Sequence, residues 1–352
     1  MSKRRVIHRN LMKNASFLLF IVVLVLSACS NNEAQTTISG SEGKVKSQEV
    51  TPDEHMTSQH MLYVNDRDAN VVQVIHPESN NTLKTIQVEK TPTYNEVSPN
   101  GKYDFVVNSG SENVSIIDTQ TKQNIKTIPV GKTPKGINFS FDGKWAYVIN
   151  EGDGTVTVID VQKLEAAKTI EVGQSPHNGV ASPDSNKFYV TNTGSNSVSV
   201  INISTQKVMK TIEGINGAPH NLDISGNTLL VTLTEYNGIG VIDLEKGEMT
   251  DRIATGTGHH VIDVTPDGKY AYVANIGTNF VSVIDIEQRK EVKEIKVGNG
   301  PHGVTVSLNG KKAYVAVSRE NKVAVINTSK NEVVDSIDTK KFPFFISTIE
   351  NK

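Results

Sequence analysis

The chain has 352 residues, 36 of them Lys or Arg and 38 Asp or Glu, and 37% of its residues are hydrophobic. That length permits two ordinary domains or one large all-β domain. The single cysteine, Cys29, excludes an internal disulfide framework, a cysteine-rich zinc module and a C-x-x-C-H haem attachment. Five basic residues precede Cys29, which leaves 31 basic against 38 acidic residues. With this excess of acidic residues, the chain from Cys29 onward is a poor candidate for nucleic-acid binding, which depends on neutralising phosphates with Lys and Arg.

The first 28 residues have the layout of an export signal. A basic segment, Met1–Lys13, precedes ten consecutive apolar residues, Phe17–Leu26. As a helix this run would rise about 15 Å, half of the roughly 30 Å hydrocarbon core, so it is too short for a stable span. A basic region followed by a short apolar region is typical of a secretory signal peptide, which we assign to residues 1–28.

The segment Leu26-Ser27-Ala28-Cys29 resembles the lipobox of bacterial lipoproteins, in which the cysteine thiol is lipidated after cleavage just before it. The resemblance implies acyl chains such as palmitate on Cys29, and an exported protein anchored to a bacterial membrane and facing outside the cytoplasm. Each buried CH₂ contributes about 0.8 kcal/mol to such anchoring. The alternatives are a short buried helix or an ordinary cleavable signal.

Residues 29–57 are polar and show no hydrophobic periodicity. Such a segment buries too little apolar surface to offset its ordering entropy. We expect it to be a flexible tether, the alternative being a loop packed on the folded part.

A pattern of an aromatic residue, Val, any residue and Asn recurs along the rest of the chain. Clear copies begin at Phe105, Tyr147, Tyr189 and Tyr272, and degenerate copies begin at Tyr63, Leu230 and Tyr314. The successive intervals are 42, 42, 42, 41, 42 and 42 residues. Two further sets of aliphatic positions repeat with the same period. Self-similarity at this period indicates an array of like structural units.

Each unit contains four short strand-like segments, which is the spacing of propeller blades. Asn-Gly or Asp-Gly pairs at 100–101, 142–143, 267–268 and 309–310 predict two-residue hairpins. The 41-residue interval predicts a contracted turn near Asn227. Pro343 lies 42 residues after Pro301, in the register of an inner strand. We therefore predict an all-β, seven-bladed β-propeller over residues 58–352, with four-stranded blades and a C-terminal strand that closes the first blade.

Three motifs carry a resemblance to a known family: Tyr189-Val190-Thr191-Asn192, Val198-Ser199-Val200-Ile201 and Pro301-His302-Gly303. They are similar to the YVTN-type β-propeller repeat of surface-layer proteins and many exported bacterial proteins. Cytochrome-d1-like, nitrous-oxide-reductase, lactonase-type and streptogramin-lyase propellers have similar seven-bladed forms. The resemblance covers about residues 58–350. It implies the fold, whereas function belongs to sites grafted on a fold, and it carries no catalytic residue over to this chain.

Four histidines share one repeat position, which we call the slot. His177, His220, His260 and His302 follow Pro176, Pro219, His259 and Pro301, while Thr93, Lys135 and Phe344 fill the slot elsewhere. The slot begins the innermost strand of a blade, so we expect a crescent of imidazoles at one mouth of the central channel. Lys132 and Lys135 would add positive charge there, and the polar loops at 109–113, 151–154 and 193–196 should share this face.

Imidazole can bind a metal, carry a proton or donate a hydrogen bond near neutral pH. The candidate ligand-binding residues are therefore His177, His220, His259, His260, His302 and Lys135, with an anionic ligand favoured. His177, His220, His260 and His302 are candidate metal ligands. The structural alternative is that repeated histidines close the channel and bond to neighbouring backbone carbonyls.

Catalytic signatures such as G-x-S-x-G, H-E-x-x-H and the P-loop do not occur in the sequence. The leading hypothesis is a lipid-anchored binding or scaffold module for a cell-envelope protein, peptide or glycan, with no cofactor required. The alternative is a metal- or cofactor-dependent enzyme or cofactor carrier, such as a lyase, a lactonase or a haem-d1-like protein, that uses the histidine crescent.

Overall fold

A computed structural model describes residues 60–350, except for the side chains of His259 and His260. The predicted signal peptide (residues 1–28), Cys29 and the tether (29–57) lie outside the described residues. Within the described part of the chain, no helix has the length and apolar character that a membrane crossing requires.

The described chain folds into 28 strands and two 3-10 helical turns, Arg67–Ala69 and Thr193–Ser195. The first strands are β1 (Met61–Asp66), β2 (Val71–His76) and β3 (Asn81–Gln87). Three sets of four follow: β4 (Pro92–Val97), β5 (Tyr103–Asn108), β6 (Asn113–Asp118) and β7 (Gln123–Pro129); β8 (Pro134–Phe139), β9 (Trp145–Asn150), β10 (Thr155–Asp160) and β11 (Glu165–Glu171); β12 (Pro176–Ala181), β13 (Lys187–Asn192), β14 (Ser197–Asn202) and β15 (Lys207–Ile212). The remaining strands are β16 (Pro219–Ser225), β17 (Thr228–Leu233), β18 (Gly238–Asp243) and β19 (Glu248–Ala254); β20 (His259–Val264), β21 (Tyr270–Asn275), β22 (Phe280–Asp285) and β23 (Lys290–Lys296); β24 (Pro301–Val306), β25 (Lys312–Val317), β26 (Lys322–Asn327) and β27 (Glu332–Asp338); and β28 (Pro343–Ile349).

These strands form seven four-stranded antiparallel sheets, which confirms the predicted seven-bladed propeller. Blade 1 has the order β28-β1-β2-β3, and blades 2 to 7 each contain four consecutive strands, from β4–β7 to β24–β27. Each innermost strand contacts the innermost strands of both neighbouring blades, so the sheets form a closed ring around a central channel.

The C-terminal strand closes the ring as predicted. β28 pairs antiparallel with β1, with Met61 opposite Ile349 and Val64 opposite Ile346. Closure removes the sheet edges that an open array would expose. His60 and Glu350, the two ends of the described chain, meet with Nε2 and Oε1 3.3 Å apart.

The aromatic residues of the repeat build the core between blades. Alternation along a strand directs successive side chains to opposite faces, and both faces of each blade are covered by its neighbours. The second strand of a blade is therefore buried at almost every residue rather than at alternate residues. The largest fully buried side chains include the repeat aromatics Tyr63, Phe105, Tyr147, Tyr272 and Tyr314.

The Asn-Gly and Asp-Gly pairs lie in turns, but the prediction of two-residue hairpins is wrong. Five residues, 98–102, separate β4 from β5. Ser98 stabilises the longer turn, because its hydroxyl accepts a bond from Tyr103 N at 3.0 Å and donates to Asn100 Oδ1 at 2.8 Å. Gly101 takes the left-handed φ of 70° within it.

The contracted turn near Asn227 is confirmed. Only residues 226 and 227 separate β16 from β17, and Ser225 pairs directly with Thr228. Pro219 lies 43 residues after Pro176, so one additional residue precedes β16. The single 41-residue interval is thus the net effect of a shorter turn and a longer loop, both outside the strands.

Candidate functional site

A bulge places the slot residues at one mouth of the channel. The pairing of the innermost strand with its neighbour shifts just after the leading proline, as between Pro176 and Gly179 in blade 4 and between Pro301 and Val304 in blade 7. A bulge bends a strand and redirects its side chains. Positive φ angles at Ser175 (44°) and Gly300 (70°) precede the two prolines. The backbone, repeated in each blade, therefore positions the slot.

Three of the predicted histidines come together at this end, which we call the imidazole mouth. The rings of His177 and His220 stack with centroids 3.4 Å apart and planes 28° apart. His302 packs on Phe344, the slot residue of blade 1, at a centroid distance of 3.5 Å. His177 and His302 are only 6% and 3% exposed. The crescent predicted from the repeat therefore exists for these three side chains.

Burial lowers the pKa values of His177 and His302 and so favours their neutral forms. Desolvation lowers the pKa of His302 to about 3, with further lowering by His220 and Arg67, and a backbone hydrogen bond to Phe344 opposes the shift. Desolvation also lowers the pKa of His177 well below its usual value, aided by His220, Lys135 and His302 and opposed by a backbone hydrogen bond to His220. The backbone partners lie in the slots of the next blades, so the structural role that the sequence allowed is part of what these rings do.

Two cations flank the imidazoles. Lys135 acts electrostatically on His177 from blade 3, and its Nζ lies 3.3 Å from Glu151 Oε2. Arg67 acts on His302 from blade 1, and its guanidinium lies 3.9 Å from the ring centroid of Phe342. The loop at 151–154 shares this face as predicted, because Glu151 N donates to Thr133 O just before β8.

The remaining candidates are placed less completely. His259 and His260 begin β20, in the predicted register, but their side chains are not described. Thr93 fills the slot of blade 2, where its hydroxyl lies 2.6 Å from that of Ser109. Among the described side chains, no group of three His, Cys, Asp or Glu residues is arranged to hold a metal ion. Because His260 belongs to the proposed metal set, the metal site stays a prediction.

A tyrosine crosses the channel below the imidazole mouth. Tyr94 of blade 2 is 2% exposed, and its hydroxyl accepts a hydrogen bond from Asn221 Nδ2 of blade 5 at 2.7 Å. Its ring lies 4.3 Å from that of Phe345 and 6.4 Å from that of His177, measured between centroids. Gly136 leaves room for this layer, since a Cβ there would meet Asn178 Oδ1 at 2.1 Å. Tyr94 therefore separates the mouth from the rest of the channel.

The opposite part of the channel is acidic, which the sequence analysis missed. Beyond Tyr94 lies a cavity of about 220 Å³ that is lined by Glu96, Asp223 and Asp263. Thr348 of blade 1 also lines it. We call this region the carboxylate end. Among the described residues that line it there is no Lys or Arg.

Burial raises the pKa values of these carboxyl groups. It raises the pKa of Glu96 to about 8, with added repulsion from Asp104 and Asp223, and that of Asp223 to about 6. The pKa of Asp263 also rises, through burial and then through Asp223. Backbone N–H groups stabilise the last two carboxylates: Val264 N donates to Asp223 at 2.7 Å and Val306 N to Asp263 at 2.6 Å.

A signal for the carboxylate end was present in the sequence. Asp223 and Asp263 each stand three residues after a slot histidine, and Glu96 stands three residues after Thr93. Three residues along a bulged strand reach the other end of the same channel. The repeat register that predicted the imidazoles therefore also contained the carboxylates.

Two family models match parts of the chain. The model described as YNCE-like beta-propeller matches residues 182–309. The model described as Cytochrome D1 heme domain matches residues 56–179 and 100–223. The chain is a seven-bladed β-propeller that is similar to these two families over parts of its length. A comparison of this propeller with curated proteins finds no match.

Solved structures with the same fold come from proteins of different activities. Hydrazine synthase of Kuenenia stuttgartiensis is 23% identical, with a TM-score of 0.68 over 73% of this chain and 89% of that chain. A putative 6-phosphogluconolactonase of Bacteroides fragilis is 18% identical, with a TM-score of 0.71 over 85% and 100%. The dihydro-heme d1 dehydrogenase NirN in complex with DHE is 16% identical, with a TM-score of 0.62 over 80% and 64%. At these identities the likeness shows the propeller fold alone.

Proposed function

We propose that this propeller is a lipid-anchored binding module of the cell envelope, whose imidazole mouth receives an acidic group of a partner protein, peptide or glycan. The observation that carries the proposal is the pair of cations, Lys135 and Arg67, on either side of the buried imidazoles. Positive charge that flanks a concave mouth attracts anions and speeds their association.

The two cations can exchange their present partners for a ligand. Lys135 pairs with Glu151 at 3.3 Å and Arg67 with Asp68 at 2.9 Å, and these side chains are 28–35% exposed. Pairs at such exposure contribute only about 0–1 kcal/mol. A carboxylate or phosphate at the mouth therefore displaces a weak contact, and Arg67 offers the planar donor set that suits such groups. Below the mouth, the hydrogen bond between Tyr94 and Asn221 closes the central channel, so the propeller offers a ligand a surface rather than a passage.

Fluorescence anisotropy with a labelled hexaglutamate peptide tests this proposal, with a hexaglutamine peptide as the neutral probe. We expect the acidic peptide alone to bind, with an affinity that falls as salt rises, because exposed charges are screened. Lys135→Gln should weaken binding at least fivefold. Lys84→Gln, which removes an equal charge from the exposed β3, is the matched control and should bind as the wild type does. Equal binding of both peptides, or no effect of Lys135→Gln, would overturn the anionic site.

The match to a haem-domain model favours a second candidate, a cofactor carrier. The described residues do not fit a planar tetrapyrrole between the imidazoles of blades 4 and 5, because His177 and His220 stack at 3.4 Å. An absorption spectrum and elemental analysis of protein purified from its native host test this candidate. A pigment or stoichiometric metal that His177→Ala/His302→Ala removes would support it, and a colourless, metal-free protein would count against a carrier.

The lipid anchor is tested separately. Cys29→Ala removes the thiol that would carry the acyl chains, so the variant should leave the detergent phase in a cloud-point partition or accumulate as the uncleaved precursor. Unchanged partitioning would contradict lipidation. This result and the peptide result are independent, so the anchor and the mouth can fail separately.

A further inference from the structure

The ring closes in blade 1, and this seam differs from other blades at one buried position. Asn108, Asn150, Asn192 and Asn275 end the second strand of four blades, and Asp66 occupies the same register, 42 residues before Asn108. All five side chains are 0% exposed. A carboxyl group thus replaces a carboxamide only at the seam among these five blades.

The asparagine carboxamide ties three segments together. Its Nδ2 donates to a hydroxyl of the third strand at 2.8–2.9 Å, in the pairs Asn108–Ser115, Asn150–Thr157, Asn192–Ser199 and Asn275–Ser282. In blades 3 and 4 its Oδ1 also accepts from the linker that leads to the innermost strand, from Gly131 N at 3.1 Å and Gly173 N at 3.0 Å. The Oδ1 atoms of Asn108 and Asn275 have no hydrogen-bond partner, so the donor is the feature that all four blades share.

The seam does not reproduce these bonds. Gln73 stands where the other blades have the hydroxyl, and its Oε1 takes the linker N–H of Lys340 at 2.7 Å. Among the described residues, neither carboxyl oxygen of Asp66 has a hydrogen-bond partner, and neither polar side-chain atom of Asn65 has one. Polar groups buried without partners destabilise a fold, so this position is a weak point of the closed ring.

We propose that Asp66 is a pH-sensitive latch of the ring: its carboxyl group, which replaces the carboxamide of the other blades, is tolerated at this buried, unpartnered position while it is neutral, and its ionised form loosens β28. A protonated carboxyl group has one O–H donor and retains acceptor capacity, as a carboxamide does. Ionisation removes the donor and leaves a buried anion beside β1, the linker and the start of β28.

The electrostatic surroundings agree with this geometry. Burial raises the pKa of Asp66 to about 7. The nearby Thr339 hydroxyl, the Lys340 N–H and the Lys340 charge oppose the rise, but neither donor makes a hydrogen bond of ordinary geometry to the carboxyl group. Lys340 on the linker is the charged group that acts on Asp66, while β2 contributes the neutral Gln73 and β28 the apolar Pro343. Because the native pKa lies above the unfolded value, the stabilisation is present in acid and is lost as pH rises from about 4 through 7.

Hydrogen exchange of peptides from β28, measured at pH 5.5 and 8.5 and corrected for intrinsic exchange rates, tests the latch. In the wild type we expect the corrected opening of β28 to increase at least tenfold between these pH values, while that of β13 changes less than threefold. Asp66→Asn restores the carboxamide of the other blades and should reduce the increase at β28 to threefold or less.

A reciprocal variant separates a latch from general pH sensitivity. Asn192→Asp places the carboxyl group in blade 4 and should transfer the pH-dependent opening to β13 while β28 retains its own. If Asn192→Asp does not fold, the comparison of the wild type with Asp66→Asn still decides. An Asp66→Asn protein whose β28 opens with pH as the wild type does, or a wild-type β28 that is insensitive to pH, would overturn the proposal.

Discussion

The two ends of the channel carry opposite ionisable groups, and burial shifts the pKa values at both ends toward the uncharged form. At the imidazole mouth, burial lowers the pKa of His302 to about 3. At the carboxylate end, burial raises the pKa of Glu96 to about 8. Desolvation disfavours the charged form of either type. The comparison shows that a base such as His302 and an acid such as Glu96 can both be uncharged at neutral pH when they are buried on the axis, so sequence charge does not predict the field in the channel.

The two ends nevertheless respond to pH with opposite sign. The native state resists protonation of His302, so its contribution to stability is lost as pH falls from about 6.5 toward 3. The native state resists ionisation of Glu96, so its contribution is lost as pH rises from about 4.5 through 8. A variant at the imidazole mouth should therefore reduce the loss of unfolding free energy in acid, and a variant at the carboxylate end should reduce the loss in alkali.

The largest effect is expected at the carboxylate end. Glu96→Gln removes the group that must ionise inside the cavity, so at pH 9 the variant should be more stable than the wild type by on the order of 4 kcal/mol, and at pH 4 the two should be similar. Urea unfolding at both pH values measures this difference. Glu332→Gln, on an exposed outer strand, is the control and should leave the alkaline decline unchanged. A Glu96→Gln protein with the wild-type decline would show that Glu96 does not share the proposed chemistry of this end.

The imidazole mouth should give a smaller effect on the acid side. His302→Gln keeps a polar side chain but cannot be protonated. Between pH 7 and pH 4.5, the free energy of unfolding of the variant should therefore fall by about 3 kcal/mol less than that of the wild type. Thermal unfolding monitored by circular dichroism at the two pH values measures it. His76→Gln, which lies outside the channel at the end of β2, serves as the control. An acid decline that persists in His302→Gln would remove the contrast between the two ends.

The layer between the ends should give the smallest effect. Tyr94→Phe keeps the ring but removes the acceptor of Asn221 Nδ2, at a cost of about 1–3 kcal/mol that does not depend on pH. Tyr63→Phe is the matched control, because the Tyr63 hydroxyl makes only a long bond of 3.4 Å to Thr119 O. Urea unfolding at pH 7 compares the two. Equal losses for both variants would mean that the bond across the channel contributes no more than an ordinary tyrosine hydroxyl.

The sequence predicted the fold because the aromatic, aliphatic and proline positions all repeat with the same period of about 42 residues. Tyr63, Phe105 and Tyr147 keep one period and all become core, and Pro343 lies in register with the other inner strands. The imidazole mouth followed from the same register at His177, His220 and His302. The stacking of His177 on His220 could not be predicted, since it depends on how closely the bulged strands approach the axis.

Other features lay beyond sequence reasoning for physical reasons. The bond between Tyr94 and Asn221 joins residues 127 positions apart across the ring, and no local pattern encodes such a contact. The turns at Asn100-Gly101 were assigned as two-residue hairpins because the pair suits a tight turn, whereas Ser98 stabilises a wider one. The difference at Asp66 is visible in the sequence, but its significance requires the bonds that asparagine makes in other blades.

The contact between His60 and Glu350 marks the side of the ring at which the described chain begins and ends. His60 also contacts Thr348, which borders the cavity at the carboxylate end, with Nε2 and Oγ1 3.1 Å apart. Residues 60 and 350 therefore lie on the side of the ring opposite the imidazole mouth. A group fused at either residue would emerge on that side and leave the mouth uncovered.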